Sequence, residues 1–333
     1  MPHEERFDVP DNDPFQALRN GMDQRRRSRA ELLARIEDKY IKTGRDEKLL
    51  GELTSLVDAN IRSSDRRRPE GRMLVVTGEP GAGKTWAVER ALANVPGLLG
   101  PLLISLNAPR PCTLKQLGRA ILHALGYPLQ RDLLEHLTWE KVRLQLKLRQ
   151  VRFLWLDELH HVVSKNEEEL KKLRDTLKNV MQQPDWPVSI IVSGVPDAAA
   201  FLTGDRQVER RSRTLEFERL KFPQNIGLLR KIVRGVVEDH AGMRLDSLDS
   251  DEFLHRLCRA TEGAFGSTIA LTRLAVLEAF DRGETAGLVR IRDFAKAYAA
   301  ERGCEASQNI FLAKNWHEIE PSRSRMRDAA EDR

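Results

Sequence analysis

Cysteine is scarce in this chain: Cys112, Cys258 and Cys304 are the only three in 333 residues, far apart and without a C-x-x-C pair. That spacing excludes a disulfide framework and offers no zinc-ligand set, so a reducing compartment is expected. No apolar run approaches the roughly 20 residues needed to span a bilayer, and no membrane partner is expected. The opening Met1-Pro2-His3-Glu4-Glu5 lacks the basic and apolar blocks of a secretion signal, which points to a cytoplasmic protein. Internal repeats, heptads and low-complexity tracts are also missing, which removes solenoids and coiled coils.

What is present is a charge-rich globular composition, 41% hydrophobic and 32% charged, long enough for one large or two modest domains. The net charge of +5 and a pI near 9.1 favour a polyanionic partner without establishing one.

One stretch organises the rest. Gly78-Glu79-Pro80-Gly81-Ala82-Gly83-Lys84-Thr85 fits the pattern G-x-x-x-x-G-K-[ST], with the apolar run Met73-Leu74-Val75-Val76 before it and a helix-compatible run from Trp86 to Leu92 behind. Glycines let the backbone wrap around phosphate with its N–H groups inward, and the helix start adds its positive dipole end. The residues from Gly78 to Trp86 are therefore expected to bind ATP, with Lys84 at the β- and γ-phosphates and the Thr85 hydroxyl on Mg²⁺.

Around this loop, apolar runs predict further buried strands at 101–106, 151–158 and 188–194, alternating with helices at about 113–125, from near 138, and at 167–181. Thr113 is a natural cap for the first of these. Strands alternating with helices imply a parallel sheet covered on both faces. Past Pro223 only helical patterns remain, around 226–237, 252–260, 268–280 and 291–300. The expected plan is a flexible basic arm over 1–27, a helical lead-in over 28–71, an α/β core over 72–220, an all-helical lid over 221–301 and a tail over 302–333.

The third strand ends in Asp157-Glu158, where a parallel sheet delivers side chains to ligand: Asp157 for Mg²⁺, Glu158 to polarise the attacking water. His160 and His161 follow, but no cysteine or third histidine is nearby to complete a zinc site. Ser193 ends the fourth strand, able to bond the γ-phosphate or the lytic water, or to serve as an ordinary turn residue. Arg206, Arg210, Arg211 and Arg213 crowd the stretch before Leu215, as an arginine finger or a solvated basic face.

The order of phosphate loop, Asp-Glu strand, polar strand end, arginine stretch and helical lid resembles the AAA+ ATPases. Within them the chain is similar to the transposition ATPases of the TniB and TnsC kind, from about Ser28 to Glu301. Asp205-Arg206-Gln207-Val208-Glu209-Arg210-Arg211 looks like that family's stretch before its finger, which implies Arg211 as finger and Arg213 as second choice. Many AAA+ lids carry an arginine about three residues after a glycine; here Gly263-Ala264-Phe265-Gly266 has glycine there, leaving Arg273 as the substitute. The resemblance further implies ATP-dependent rings or helical filaments on duplex DNA that recruit a transposase, with a target-selection protein as a further candidate partner. Arg110 and Lys115 would then follow DNA phosphates, ahead of Lys165 and Lys171. No nuclease or strand-transfer carboxylate set is present in the sequence, so cutting would fall to the partner.

Two other readings stay open. A replication initiator usually carries a DNA-binding module after the lid, and the stretch after Ala300 is short for one. A signalling NTPase would gate protein contacts without DNA. The tail, with Phe311 and Trp316, suits either a partner-docking peptide or a strap over the chain's own lid.

Overall fold

The computed structural model describes residues 15, 18, 20–64, 70–110, 112–127, 129, 131–159, 167–196, 206–283 and 287–321. The expectations for most of the N-terminal arm, for the end of the lead-in over 65–69, for His160, His161 and Lys165, and for the tail beyond Pro321 lie outside those residues. Two units divide the chain: Lys42–Leu220 with Ala264–Ser267, and Met1–Ile41 with Lys221–Gly263 and Thr268–Arg333. Helix α1 (Gln24–Asp38) belongs to the second of them.

The first unit is built on five parallel strands, β1 (Met73–Gly78), β2 (Leu103–Asn107), β3 (Phe153–Asp157), β4 (Ser189–Gly194) and β5 (Ser212–Phe217), in the order β2-β3-β4-β1-β5. Every residue of β1, β3 and β4 is buried, as parallel strands covered on both faces require. Side chains alternate between the faces. Met73, Val75, Leu154, Leu156, Ile190 and Val192 join a core with α4 (Leu114–Ala124), α5 (Glu135–Leu148) and α6 (Glu167–Met181). Leu74, Val76, Phe153, Trp155 and Ile191 join the core of the other face with α2 (Gly44–Ser64) and α3 (Lys84–Ala93). Thr113 caps α4 in a reciprocal box, its hydroxyl accepting from the Gln116 N–H at 3.2 Å.

Strand β5 is a finding that the apolar runs do not announce. It pairs only with β1, at the sheet edge, and exposes Arg213, Thr214 and Glu216, so half of its residues are polar and face solvent. The arginine stretch thus resolves into a short helix α7 (Arg206–Glu209), a turn at Arg210 and Arg211, and this edge strand.

The second unit holds α8 (Ile226–Arg234), which runs on as a π-helical segment Gly235–His240, then α9 (Asp251–Ala260), α10 (Phe265–Arg282, its first turn grouped with the first unit) and α11 (Ile291–Arg302). To these helices the structure adds a two-residue parallel ladder, β6 (Arg244–Leu245) with β7 (Leu288–Val289). Residues of the tail lie on these helices: Phe311 is buried among Phe253, Phe294 and Tyr298. Among the described residues no single helix is long and apolar enough to cross a membrane.

Candidate active site

The loop from Gly78 to Gly83 links β1 to α3, and two of its glycines occupy left-handed backbone, Gly81 at φ 76° and Gly83 at φ 83°. Space as well as φ demands glycine: a Cβ on Gly78 would lie 2.8 Å from the Phe217 carbonyl oxygen, and one on Gly81 2.8 Å from the Ser267 hydroxyl. The Lys84 ammonium donates to the carbonyls of Gly78 at 2.7 Å and Glu79 at 3.1 Å, folding back over the loop. Burial pushes its pKa down, against the opposing pull of Asp157, Glu79 and Glu158. Trp86, also expected at the nucleotide, is 63% exposed on α3.

Opposite the loop, the ends of β3 and β4 form one buried network. Thr85 donates to Asp157 Oδ2 at 2.7 Å, and Ser193 donates to Asp157 Oδ1 while accepting from the Trp155 indole N–H at 2.8 Å. Asp157 is 4% exposed and Ser193 wholly buried. Both of these Ser193 hydrogen bonds run to the protein, and through them it orients Asp157. A hydroxyl and a carboxylate oxygen side by side suit a hard dication such as Mg²⁺, and the loop's glycines and Lys84 suit phosphate oxygens, so the donor set fits a Mg²⁺–triphosphate. Among the described residues no group of three or more His, Cys, Asp and Glu is placed to hold a metal.

Glu158 stands just outside this network at φ 55°, its side chain 43% exposed and ion-paired with Arg110. Arg110, expected at DNA, thus engages the carboxylate expected to polarise water. Lys115 bonds Asp132 at 2.6 Å and holds that carboxylate below its usual range, with Arg119 also in reach at 3.3 Å. Its charge is shared with an acid of its own chain.

The two finger candidates lie at the other end of the sheet. The Met73 N–H, at the start of β1, donates to the Arg211 carbonyl at 2.9 Å, and Arg213 pairs with Leu74. A rise of about 3.3 Å per residue along β1 separates them from Gly78 by roughly 17 Å, beyond the reach of an arginine side chain to its own loop. Arg211 makes a bidentate bond to Glu70, 2.9 Å from Nε to one oxygen and from Nη2 to the other, which raises its pKa further. Arg213 is exposed.

Arg45 and Gly266 join the surroundings of the loop, and Glu70 joins the arginine stretch at the far end of the sheet; no motif announces Arg45 or Glu70. The Arg45 guanidinium stacks 4.0 Å from the centre of the Phe265 ring and 4.9 Å from that of Phe217, beside Gly78 and Gly83. Gly266 donates its N–H to the Gly81 carbonyl at 2.7 Å, and a Cβ there would come within 2.6 Å of that oxygen. The glycine in place of a lid arginine is therefore a packing requirement. Arg273 reaches the carbonyls of Glu37 and Lys39 at 3.3 and 3.2 Å, within the second unit. Only the doublet Gly263/Gly266 hinted at this in the sequence.

A family model described as an AAA domain matches residues 67–202. No curated protein matches the chain. Among solved structures, Orc1 of Aeropyrum pernix in complex with DNA is 20% identical at a TM-score of 0.53, over 80% of this chain and 67% of that one. Cdc6p of Pyrobaculum aerophilum is 14% identical at 0.53, over 84% and 76%. Drosophila ORC bound to DNA is 16% identical at 0.54, over 92% and 72%. At such identities the likeness is one of fold. It agrees with the AAA domain and with the sheet order around the phosphate loop: the chain has the AAA+ P-loop NTPase fold with a helical C-terminal region.

Proposed function

We propose that this chain is an ATP-hydrolysing switch that assembles on duplex DNA and, in its finer role, regulates DNA transposition by recruiting or activating a separate transposase, with hydrolysis driving disassembly. The observation that carries the switch is the placement of two half-sites at opposite ends of β1. Lys84, Thr85, Asp157 and Glu158 gather at the carboxyl end of the sheet, and Arg211 with Arg213 at the amino end. A copy that cannot bring its own arginines to its own phosphates needs a neighbour, so turnover and assembly are one event.

The roles follow from the donors. The loop amides and Lys84 bind the triphosphate, while Thr85 and Asp157, oriented by Ser193, would hold Mg²⁺. That ion would neutralise charge on the phosphates. Glu158 accepts the proton of the attacking water once Arg110 gives it up, and Arg211 stabilises the charge that develops.

Transposition is supported by the resemblance of the arginine stretch and lead-in to the TniB and TnsC kind. A second reading, a replication-type initiator, is favoured by the fold likeness to Orc1, Cdc6p and ORC, two of which were solved with DNA. Fluorescence anisotropy of duplex DNA with a slowly hydrolysed ATP analogue tests both. The proposal expects nucleotide-dependent binding that tracks phosphates: affinity falls steeply with salt, by about 0.9 in log–log slope per phosphate contact, and is nearly equal on unrelated sequences. Strong preference for one sequence favours the initiator reading, and no binding with any nucleotide leaves only a DNA-independent NTPase.

A further inference from the structure

A cavity of the first unit lies at the amino ends of β1 and β5, far from the phosphate loop. It holds about 550 Å³ and is lined by Arg62, Arg72, Arg210, Arg211 and Arg213, with Glu52 and Glu209 among its acids. The guanidinium groups of Arg72, Arg210 and Arg213 meet no carboxylate among the described residues. Arg211 is the exception. Both oxygens of Glu70 take its Nε and Nη2 at 2.9 Å, with the Arg211 side chain 24% and the Glu70 side chain 48% exposed.

The chain is built to hold Glu70 there. The next residue, Gly71, donates its N–H to Met181 at 2.7 Å and packs so tightly that a Cβ would sit 2.2 Å from the Val188 carbonyl oxygen. The Arg72 N–H is in turn tied to the Ser189 hydroxyl at 3.1 Å. Backbone anchored on both β4 and the end of α6 thus delivers one carboxylate to one guanidinium. A carboxylate offers the guanidinium fork the same paired anionic oxygens as a phosphate does, but with less charge.

We propose that Glu70 is a lock that keeps Arg211 within its own subunit until the triphosphate bound by a second copy of this chain displaces it. This rests on the reading of Arg211 as a finger acting in trans. The cavity around it gives that triphosphate a basic seat, and the half-exposed pair is weak enough to yield to a more highly charged anion. A free copy therefore withholds its finger, and an ATP-loaded neighbour claims it.

The test uses two kinds of full-length subunit. Receivers carry Arg211→Ala, with their own hydrolytic residues intact. Donors carry Glu158→Gln, which leaves them an arginine to offer but no turnover. ATP hydrolysis by a fixed amount of receiver is followed as donor is added, with Glu70 intact or changed to Gln. The expected result is stimulation by both donors, with roughly threefold less of the Glu70→Gln donor needed for half-maximal effect, the scale set by a half-exposed ion pair. Glu70→Ala, which removes the carboxylate altogether, moves the curve the same way. Donor curves that coincide, or variants that need more protein than the parent, overturn the lock while leaving the finger standing. If no donor stimulates at any ratio, with Glu70 intact or replaced, the finger reading itself fails, and the lock fails with it.

Discussion

Glu158 is held in a conformation that its own chemistry does not favour. Its φ of 55° is left-handed backbone, which costs a residue with a Cβ about 1–2 kcal/mol, and its carboxylate is neutralised by Arg110. The backbone is fixed in part by Asp157, whose Oδ1 accepts the Glu158 N–H at 2.9 Å. Strain at a residue that ends a buried strand aims its side chain out of the sheet, toward water. We expect Glu158→Gln to bind nucleotide as the parent does, because no loop or Lys84 contact is lost, while hydrolysis falls at least about 100-fold. Nucleotide titration with a fluorescent analogue and single-turnover phosphate release measure the two separately. Turnover within a few-fold of the parent would remove Glu158 from its role. The acid itself is legible from the run Phe153-Leu154-Trp155-Leu156-Asp157. Its pairing with Arg110 is not, because the register of Asn107 with Asp157 across two strands brings them together.

At the scale of elements, the same distinction between local and long-range signal decides what can be read. Strands β1, β3 and β4 are near-continuous apolar runs because both their faces are covered, and they stand where periodicity places them. Strand β5 borrows its hydrogen bonds from one neighbour and its core contact mainly from Phe217, so its sequence carries little signal. The tail is a parallel case: Ile310-Phe311-Leu312 reads as an isolated apolar island until its partners are known. Phe311 is 3% exposed, and Arg256 ties the segment down by donating to the carbonyls of Ile310 at 2.6 Å and Ala313 at 3.0 Å. Its neighbour Leu312 is 51% exposed. Truncation of Phe311 to Ala should therefore destabilise the helical unit by about 3–5 kcal/mol, and Leu312→Ala should stay within about 0.5 kcal/mol of the parent. Urea unfolding followed by circular dichroism distinguishes a strap from a free peptide. Equal, small effects from both variants would mean that the segment does not hold these helices in solution.

The whole molecule presents an imbalance that no single residue shows. The phosphate loop closes over one end of β1 and the arginine cavity opens at the other, and the length of that strand, roughly 17 Å, is fixed by a fully buried sheet that cannot bend to bring them together. An arginine finger contributes to turnover only when its guanidinium touches the transferring phosphate, with effects of about 10³–10⁵ in rate where it is supplied by another molecule. Specific ATPase activity should therefore be a function of protein concentration. It should approach the slow background of an isolated loop on dilution, and rise as copies meet. Duplex DNA, by gathering basic copies along one polyanion, should move the rise to lower concentration, and added salt should move it back. The measurement is phosphate release per subunit across a dilution series, with and without DNA. A specific activity that stays flat from the most dilute to the most concentrated sample would mean that one copy completes its own site. Since Arg211 and Arg213 cannot reach that site from the amino end of β5, such a result would also require a different group to stabilise the transition state.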